Sequence, residues 1–469
     1  MGIKSFELEP TKDNLLKTLK DDSIGRNQYI FHFVRFCNAL DNKCSIAIDA
    51  RWGNGKTFFV KQAKMVLDTY NPNIVELTDE DKETVKEGFE NFVDQASGFS
   101  ILKPQVCVYY DAWANDNDSD PILSLTNEII KSTASEYSFG ESFDLKKLLE
   151  LAAPIVAFFT GFNGENLIKL LESKDPLSEI KNQKEIHNKI ADFFESLLPE
   201  KGERLIVFID ELDRCKPSYA VILLERIKHY FSNDRITFVF SINLEELQHT
   251  IKKCYGNDFD ASRYLDRFFD FRIELPPADM EKYYKSIGLS ENMYFCNLVC
   301  QIVTKQFGFG LREIEKFYRI VRITIGKELE CDDRQAFSGY ELAYRFAFKF
   351  IVPIILGLRM YDLKLYDDFI HGRDYKPMID ILTSKEISIS AFSCLIANGE
   401  TYHQNNMGAS VVTLENKLRE VYETIFIKLK LDKNSYDEMI IGNCCFSSRT
   451  RAGIFEAVSM LSDIAAFES

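Results

Sequence analysis

The stretch Ser45-Ile-Ala-Ile-Asp-Ala-Arg-Trp-Gly-Asn-Gly-Lys-Thr57 decides the fold. Its first half is a short apolar strand, which delivers the chain into a glycine-containing loop ending in Gly55-Lys56-Thr57. A loop of this kind turns the backbone N–H groups of residues 51 to 56 inward to cradle a phosphate, while Lys56 reaches the β- and γ-phosphates and the Thr57 hydroxyl takes Mg²⁺. It reads as a P-loop. Phe58 to Leu67 continues as an apolar helix whose N-terminal dipole adds to the anion site. The expected nucleotide contacts are Trp52, Gly53, Asn54, Gly55, Lys56, Thr57 and Phe58. Ala50 stands where such loops usually open on glycine, and an alanine turning with negative φ is a tolerable variant.

A glycine-lysine-threonine after a strand is also found in surface turns, so a second half of the site carries weight. Leu205-Ile-Val-Phe-Ile-Asp-Glu211 is a run of five apolar residues closed by two carboxylates, the pattern of a buried parallel strand ending at a phosphate site. Asp210 is placed to hold the Mg²⁺ shell, and Glu211 to orient and deprotonate the attacking water. An acidic pair after a strand can equally be a solvated turn. Both halves in the right order favour the phosphate site. Between them, Val106-Cys-Val-Tyr-Tyr110 reads as a further strand, followed by the polar loop Asn115-Asp-Asn-Asp-Ser-Asp120 and a helix opening at Pro121. That loop lacks the glycine and distal glutamate of a calcium loop and reads as a helix N-cap. Trp113, one of two tryptophans, is expected to pack the sheet against that helix.

Three motifs together, Trp52-Gly-Asn-Gly-Lys-Thr57, Tyr110-Asp-Ala-Trp113 and Asp210-Glu-Leu-Asp-Arg-Cys-Lys-Pro217, resemble the KAP family of P-loop NTPases. The likeness continues more faintly through Phe238-Val-Phe-Ser-Ile-Asn243, Tyr264-Leu-Asp-Arg-Phe268, Leu275-Pro276 and Gly310-Leu-Arg-Glu-Ile-Glu-Lys-Phe317. It implies an α/β P-loop NTPase fold of the ASCE/AAA-like type: a three-layer core around a parallel sheet, with helical insertions, a helical lid and a helical C-terminal region. It also implies ATP and Mg²⁺ as ligands, Lys56 and Thr57 on the nucleotide, Asp210 on the metal and Glu211 on the water. The family often has Asp where this chain has Glu211, and usually has Asp where it has Asn243. The amide of Asn243 can position water as a polar sensor but cannot act as a base. Arg267, with Arg263 one helical turn earlier, stands where the family commonly has lysine. Arg267 reads either as an arginine finger toward a neighbouring subunit or as part of a solvated basic face, paired with Asp266 or Asp270. Arg312, opening a helix after Gly308 and Gly310, occupies a sensor-like place in the lid, with a plain solvated position as the alternative. Bacterial members of the family are associated with phage exclusion, so the resemblance implies an anti-phage defence role.

At 469 residues the chain is long enough for more than one domain. Residues 1–40 form an N-terminal helical segment, interrupted at Ile24-Gly-Arg-Asn27, which is either a loop at the adenine pocket or a plain helix-start loop. Residues 41–280 form the core with insertions near 71–103 and 140–200, residues 281–330 the lid, and residues 331–469 the C-terminal region, expected to be helical. Within the first insertion, Leu77 to Asn91 reads as a charged, exposed helix.

The excess of 72 acidic over 57 basic side chains, a net charge of −15, argues against indiscriminate nucleic-acid binding and leaves a local basic groove open. Eleven cysteines, an odd number in so long a chain, read as free thiols in a reducing cytoplasm. The close pairs Cys296/Cys300 and Cys444/Cys445 read as small buried hydrophobes rather than metal ligands. Met1 to Lys20 shows no signal peptide, and Leu151–Phe162 and Phe350–Leu358 fall short of the ~20 apolar residues that cross a bilayer. A peripheral membrane contact through 151–162 stays open. The guanine-reading Asn-Lys-x-Asp pattern is missing, which tilts the reading toward ATP. The expected activity is Mg-ATP hydrolysis driving a conformational or assembly switch, with self-association or partner proteins. The alternatives are a non-hydrolysing nucleotide-binding scaffold and a DNA-associated motor.

Overall fold

In the computed structural model the chain divides into two units, residues 8–283 and 284–469. The described residues are 9–89, 102–118, 120–138, 198, 202–230, 233–287, 295–325, 338–402, 410–430 and 437–465. The expected insertion near 140–200, including 151–162, therefore lies outside them but for Leu198, as do most of 401–408 and part of the insertion near 71–103.

The first unit is organised by five strands: β1 (Cys44–Asp49), β2 (Gln105–Asp111), β3 (Arg204–Asp210), β4 (Ile236–Ile242) and β5 (Phe271–Glu274). They form one sheet in the order β2-β3-β4-β1-β5, and every neighbouring pair is parallel. β3 and β4 are buried at each position, which is why their sequences are near-continuous apolar runs rather than alternating ones. The register sets Asp111 beside Asp210, Asp210 beside Ser241, and Asp49 beside Ile242. The carboxyl ends of β1, β2, β3 and β4 are thus level, the edge at which open α/β sheets bind ligands.

Around the sheet lie α1 (Lys12–Lys20), α2 (Asn27–Asn38), α3 (Lys56–Thr69), α4 (Asp79–Glu87), α5 (Pro121–Glu136), α6 (Pro217–Tyr230), α7 (Leu244–Tyr255) and α8 (Ala261–Leu265). Successive strand residues face opposite sides, and two tyrosines of β2 show both layers. Tyr109 lies under the Lys61 ammonium of α3, 4.5 Å from its ring centroid. Tyr110 faces the other layer, its hydroxyl 3.0 Å from Ser124 Oγ of α5 and 2.5 Å from Tyr219 OH of α6. Tyr110 therefore does the packing expected of Trp113. Trp113 itself is 52% exposed, because residues 112–118 turn away from the sheet edge.

Local capping chemistry explains the helix starts. Asp120 accepts from the N–H groups of Ile122 and Leu123 at 2.9 and 3.1 Å and Pro121 follows, so the acidic loop is a cap as its sequence suggests. Thr78 and Asp81 form a capping box that starts α4, the charged helix of the first insertion.

A buried ionic cluster ties α3 to the end of α5. Lys64 Nζ lies 2.8 Å from Asp68 and 2.7 Å from Glu136, and Tyr137 OH donates to Asp68 at 2.6 Å. Burial works against the Lys64 charge, but Asp68 and Glu136 outweigh it and raise its pKa.

In the second unit, aromatic side chains fill the interior. Phe346, Phe350, Phe392 and Phe446 form one cluster and Phe369, Tyr422 and Phe426 another, which accounts for much of the phenylalanine in this region. The unit is mainly helical, as expected, with two small sheets added. β6 (Glu400–Thr401) pairs in parallel with β7 (Ser410–Val411), and β8 (Glu438–Ile441) pairs antiparallel with β9 (Cys444–Ser447) through a turn in which Gly442 has φ 58°. Phe350 to Leu358 lies buried in the helical stretch from Ala347 to Tyr361. Among the described residues no helix is long and apolar enough to cross a membrane.

Replacing Lys64 with Met leaves Asp68 and Glu136 buried without their cation. Loss of one partner of a buried pair costs about 3–5 kcal/mol, so the urea unfolding midpoint of Lys64→Met is expected to fall by that equivalent. An unchanged midpoint would show that the cluster contributes nothing.

Candidate functional site

The loop after β1 folds back over the sheet edge on two left-handed glycines, Gly53 at φ 81° and Gly55 at φ 79°. Only glycine adopts this conformation without strain, which is why both positions are glycine. Ala50 is not among the positive-φ residues, and its N–H donates to Ile242 O at 3.2 Å, so alanine fits where glycine was expected. Lys56 opens α3 and is buried; its ammonium donates to Ala50 O at 2.7 Å and makes no ion pair among the described residues. Burial lowers its pKa, against the pull of Asp213, Asp210 and Glu211. Phe58, expected among the nucleotide contacts, is buried in the first turn of α3.

Asp210 gathers the two halves of the site. It is 1% exposed; its Oδ2 accepts from Thr57 Oγ1 at 2.6 Å and from Tyr109 OH at 2.9 Å, and its Oδ1 from the Glu211 N–H at 3.0 Å. The hydroxyl of the P-loop and the carboxylate of β3 therefore meet directly, although β4 separates their strands. Both are oxygen ligands of the kind a hard divalent cation takes. Glu211 follows in a left-handed conformation, φ 61° and ψ 22°, a strained state for a residue with a Cβ. Burial, with Asp210 alongside, pushes its carboxyl up to about 7, while Arg214 and Lys56 pull the other way. Its Oε2 is ion-paired with Arg214 Nε.

Two contacts were not legible in the sequence. Trp52 of the P-loop donates from Nε1 to Asp213 Oδ2 at 2.6 Å, so the second aspartate of the Asp-Glu-Leu-Asp run anchors the loop's indole. Burial, the largest influence, raises the Asp213 carboxyl. Arg26, from the interruption at Ile24 to Asn27, is 4% exposed and donates to Asn54 O of the P-loop at 2.9 Å. Its Nε has no partner among the described residues, no carboxylate pairs with it, and burial lowers its pKa to about 10. The signal for it was the loop's position ahead of β1. A buried cation that no described carboxylate pairs with, bonded to a P-loop carbonyl, suits a polyphosphate.

Of the other expected residues, Asn243 stays at the sheet edge, its backbone hydrogen-bonded to Asp213, while the arginines are exposed. Asn243 ends β4, but its Oδ1 caps α7 by accepting from Glu245 and Glu246 N–H at 3.2 and 3.4 Å. Arg263 and Arg267 are exposed. Asp266 pairs with Arg272 and Asp270 accepts from Ser45 N–H, so neither of the acids proposed as partners is bound to Arg267. Arg312 is exposed in the first turn of Leu311–Ile325 in the second unit.

The KAP family P-loop domain matches residues 26–294, more than half of the chain, and its first matched residue is Arg26. The chain belongs to the KAP family of P-loop NTPases. Nucleotide binding at the P-loop of this KAP chain follows from that membership. A solved structure, the ORC2 protein of Aeropyrum pernix in its ADPNP-ADP complexes, is similar at 12% identity over 86% of this chain and 93% of that chain. Its TM-score of 0.32 is too low to carry an argument. No curated protein matches.

If Arg26 is the cation awaiting the nucleotide's phosphates, Arg26→Gln weakens ATP binding by about 1.5–3 kcal/mol, roughly tenfold to a hundredfold in Kd, without lowering the stability of the free protein. Calorimetric titration with ATP and thermal unfolding check the two halves. Unaltered affinity would make Arg26 a brace for Asn54 only.

Proposed function

We propose that this KAP chain hydrolyses Mg-ATP and uses the change to drive a conformational or assembly switch. The observation that carries the reading is the direct meeting of Thr57 and Asp210, with Glu211 next in the chain. In this reading the P-loop N–H groups and Lys56 hold the β- and γ-phosphates, and Arg26 adds a second buried cation. Thr57 and Asp210 hold magnesium, which supplies charge neutralisation on the phosphate oxygens. Glu211 orients a water and takes its proton as the water oxygen bonds to the γ-phosphorus; the bond from that phosphorus to the β–γ bridging oxygen breaks, and ADP leaves with that oxygen. Binding precedes this step and needs Lys56 more than Glu211.

Arg267, exposed and in no ion pair among the described residues, supports self-association in which one copy's guanidinium meets a neighbour's nucleotide, and we assign Arg312 the coupling to lid position. The setting we propose, cytoplasmic anti-phage defence, rests on the family resemblance alone.

A second reading, a nucleotide-gated scaffold without turnover, draws support from Asn243, which stands where the family usually has Asp and whose amide oxygen caps α7. Phosphate release and ATP-dependent mass decide between them. Glu211→Gln is expected to bind ATP with near wild-type affinity and lose about 10²–10⁴-fold in kcat; Lys56→Ala is expected to lose binding as well. Equal, background-level release from wild type and Glu211→Gln, with ATP-dependent assembly retained, would establish the scaffold instead.

A further inference from the structure

The chain has two tryptophans, and both flank the same guanidinium. Arg214 Cζ stands 5.5 Å from the ring centroid of Trp52 and 5.5 Å from that of Trp113, within cation–π range of each. The rings are 46% and 52% exposed, so the stack lies at the surface beside the sheet edge and fills no core. Each ring comes from a different segment: Trp52 from the P-loop, Trp113 from the turn after β2. Arg214 belongs to a third, the 3₁₀ turn Leu212–Arg214 that follows Glu211. Trp52 is itself held in place by its hydrogen bond to Asp213. The remaining edge of the guanidinium, Nε, is turned to the Glu211 carboxylate.

This arrangement constrains Glu211 at both ends. Its backbone is fixed in the left-handed region, with its N–H on Asp210, and its carboxylate is fixed by Arg214. A planar guanidinium can present one edge to a carboxylate while staying within cation–π range of two aromatic rings; a lysine ammonium, a point charge, holds no such fixed geometry. The position of the carboxylate is therefore tied to the P-loop through Trp52, the loop that binds phosphate.

We propose that Arg214, clamped between Trp52 and Trp113, is a positioning residue that registers the Glu211 carboxylate to the P-loop. The proposal rests on the hydrolysis reading for its catalytic consequence, because it acts through Glu211 and touches no phosphate itself. It makes Trp113, which lies outside the P-loop and outside the strand of Asp210, a contributor to turnover.

The test uses the full chain and has two independent readouts. In steady-state hydrolysis, Arg214→Gln and Arg214→Lys are expected to lower kcat by about tenfold or more, with the calorimetric Kd for Mg-ATP within about threefold of wild type. Trp113→Leu, at a half-exposed position that tolerates substitution, is expected to show a smaller loss of the same kind. The double variant Glu211→Gln/Arg214→Gln should be no slower than Glu211→Gln alone, since the arginine acts through the glutamate. Intrinsic emission reads the clamp without turnover, because no other tryptophan contributes. Acrylamide should quench Arg214→Gln more than wild type, and Glu211→Ala, which frees the guanidinium, should shift quenching in the same direction. An absence of phosphate release from wild type would sink the hydrolysis reading and leave emission to decide the registration. Additive losses in the double variant, a loss confined to Kd, or quenching indifferent to Glu211 would each overturn the proposal.

Discussion

The short contact between the Thr57 hydroxyl and the Asp210 carboxylate is the constraint on which the site depends. It joins a loop on β1 to the end of β3, two strands that do not touch, because β4 lies between them and the register brings all three carboxyl ends level. Asp210 also accepts from Tyr109 and from the Glu211 N–H, so a single buried carboxylate sets the position of the loop, the neighbouring strand and the next acid. A one-residue slip in the pairing of β3 with β4 would turn Asp210 to the other face and dissolve this meeting.

Charge completes the arrangement. The sheet edge holds Asp210, Glu211 and Asp213 close together, and the cations that touch the P-loop or these acids are of two kinds. Lys56 and Arg26 are buried and, among the described residues, donate only to P-loop carbonyls, which leaves them the capacity to take an anion. Arg214 is already engaged, by one carboxylate and two indoles. The first pair suits ligand binding and the last suits holding the protein's own base in place.

The core was legible because its signals are local. Buried parallel strands read as apolar runs, a phosphate loop needs its glycines at fixed offsets, and a cap announces itself in Asp120-Pro121. What was not legible depends on partners distant in sequence. Trp113 looked like a sheet-packing residue because an aromatic after a strand usually is one; the turn that carries it leads away from the sheet edge, and the partner it meets there, Arg214, is distant in sequence. The loop Ile24 to Asn27 read as either an adenine-pocket loop or a plain helix start, and only the burial of Arg26 and its bond to Asn54 single that residue out. Asn243 was read only as a polar sensor, but it lies between the strand ending at Ile242 and the helix starting at Leu244, and Glu245-Glu246 after it was the unread cap signal. The β8–β9 hairpin had its Gly442-Asn443 turn in plain view, but its strands are too short to stand out beside helical segments.

The measurement that tests the account most directly is the affinity of the intact chain for ATP, by calorimetric titration with and without Mg²⁺, in wild type and Asp210→Asn. If Asp210 joins the phosphate loop to the metal, Mg²⁺ tightens ATP binding in wild type and does so no longer in Asp210→Asn, while the Mg²⁺-free affinities stay alike. Binding in wild type that ignores Mg²⁺, or an Asp210→Asn variant that responds to it as wild type does, would contradict the account.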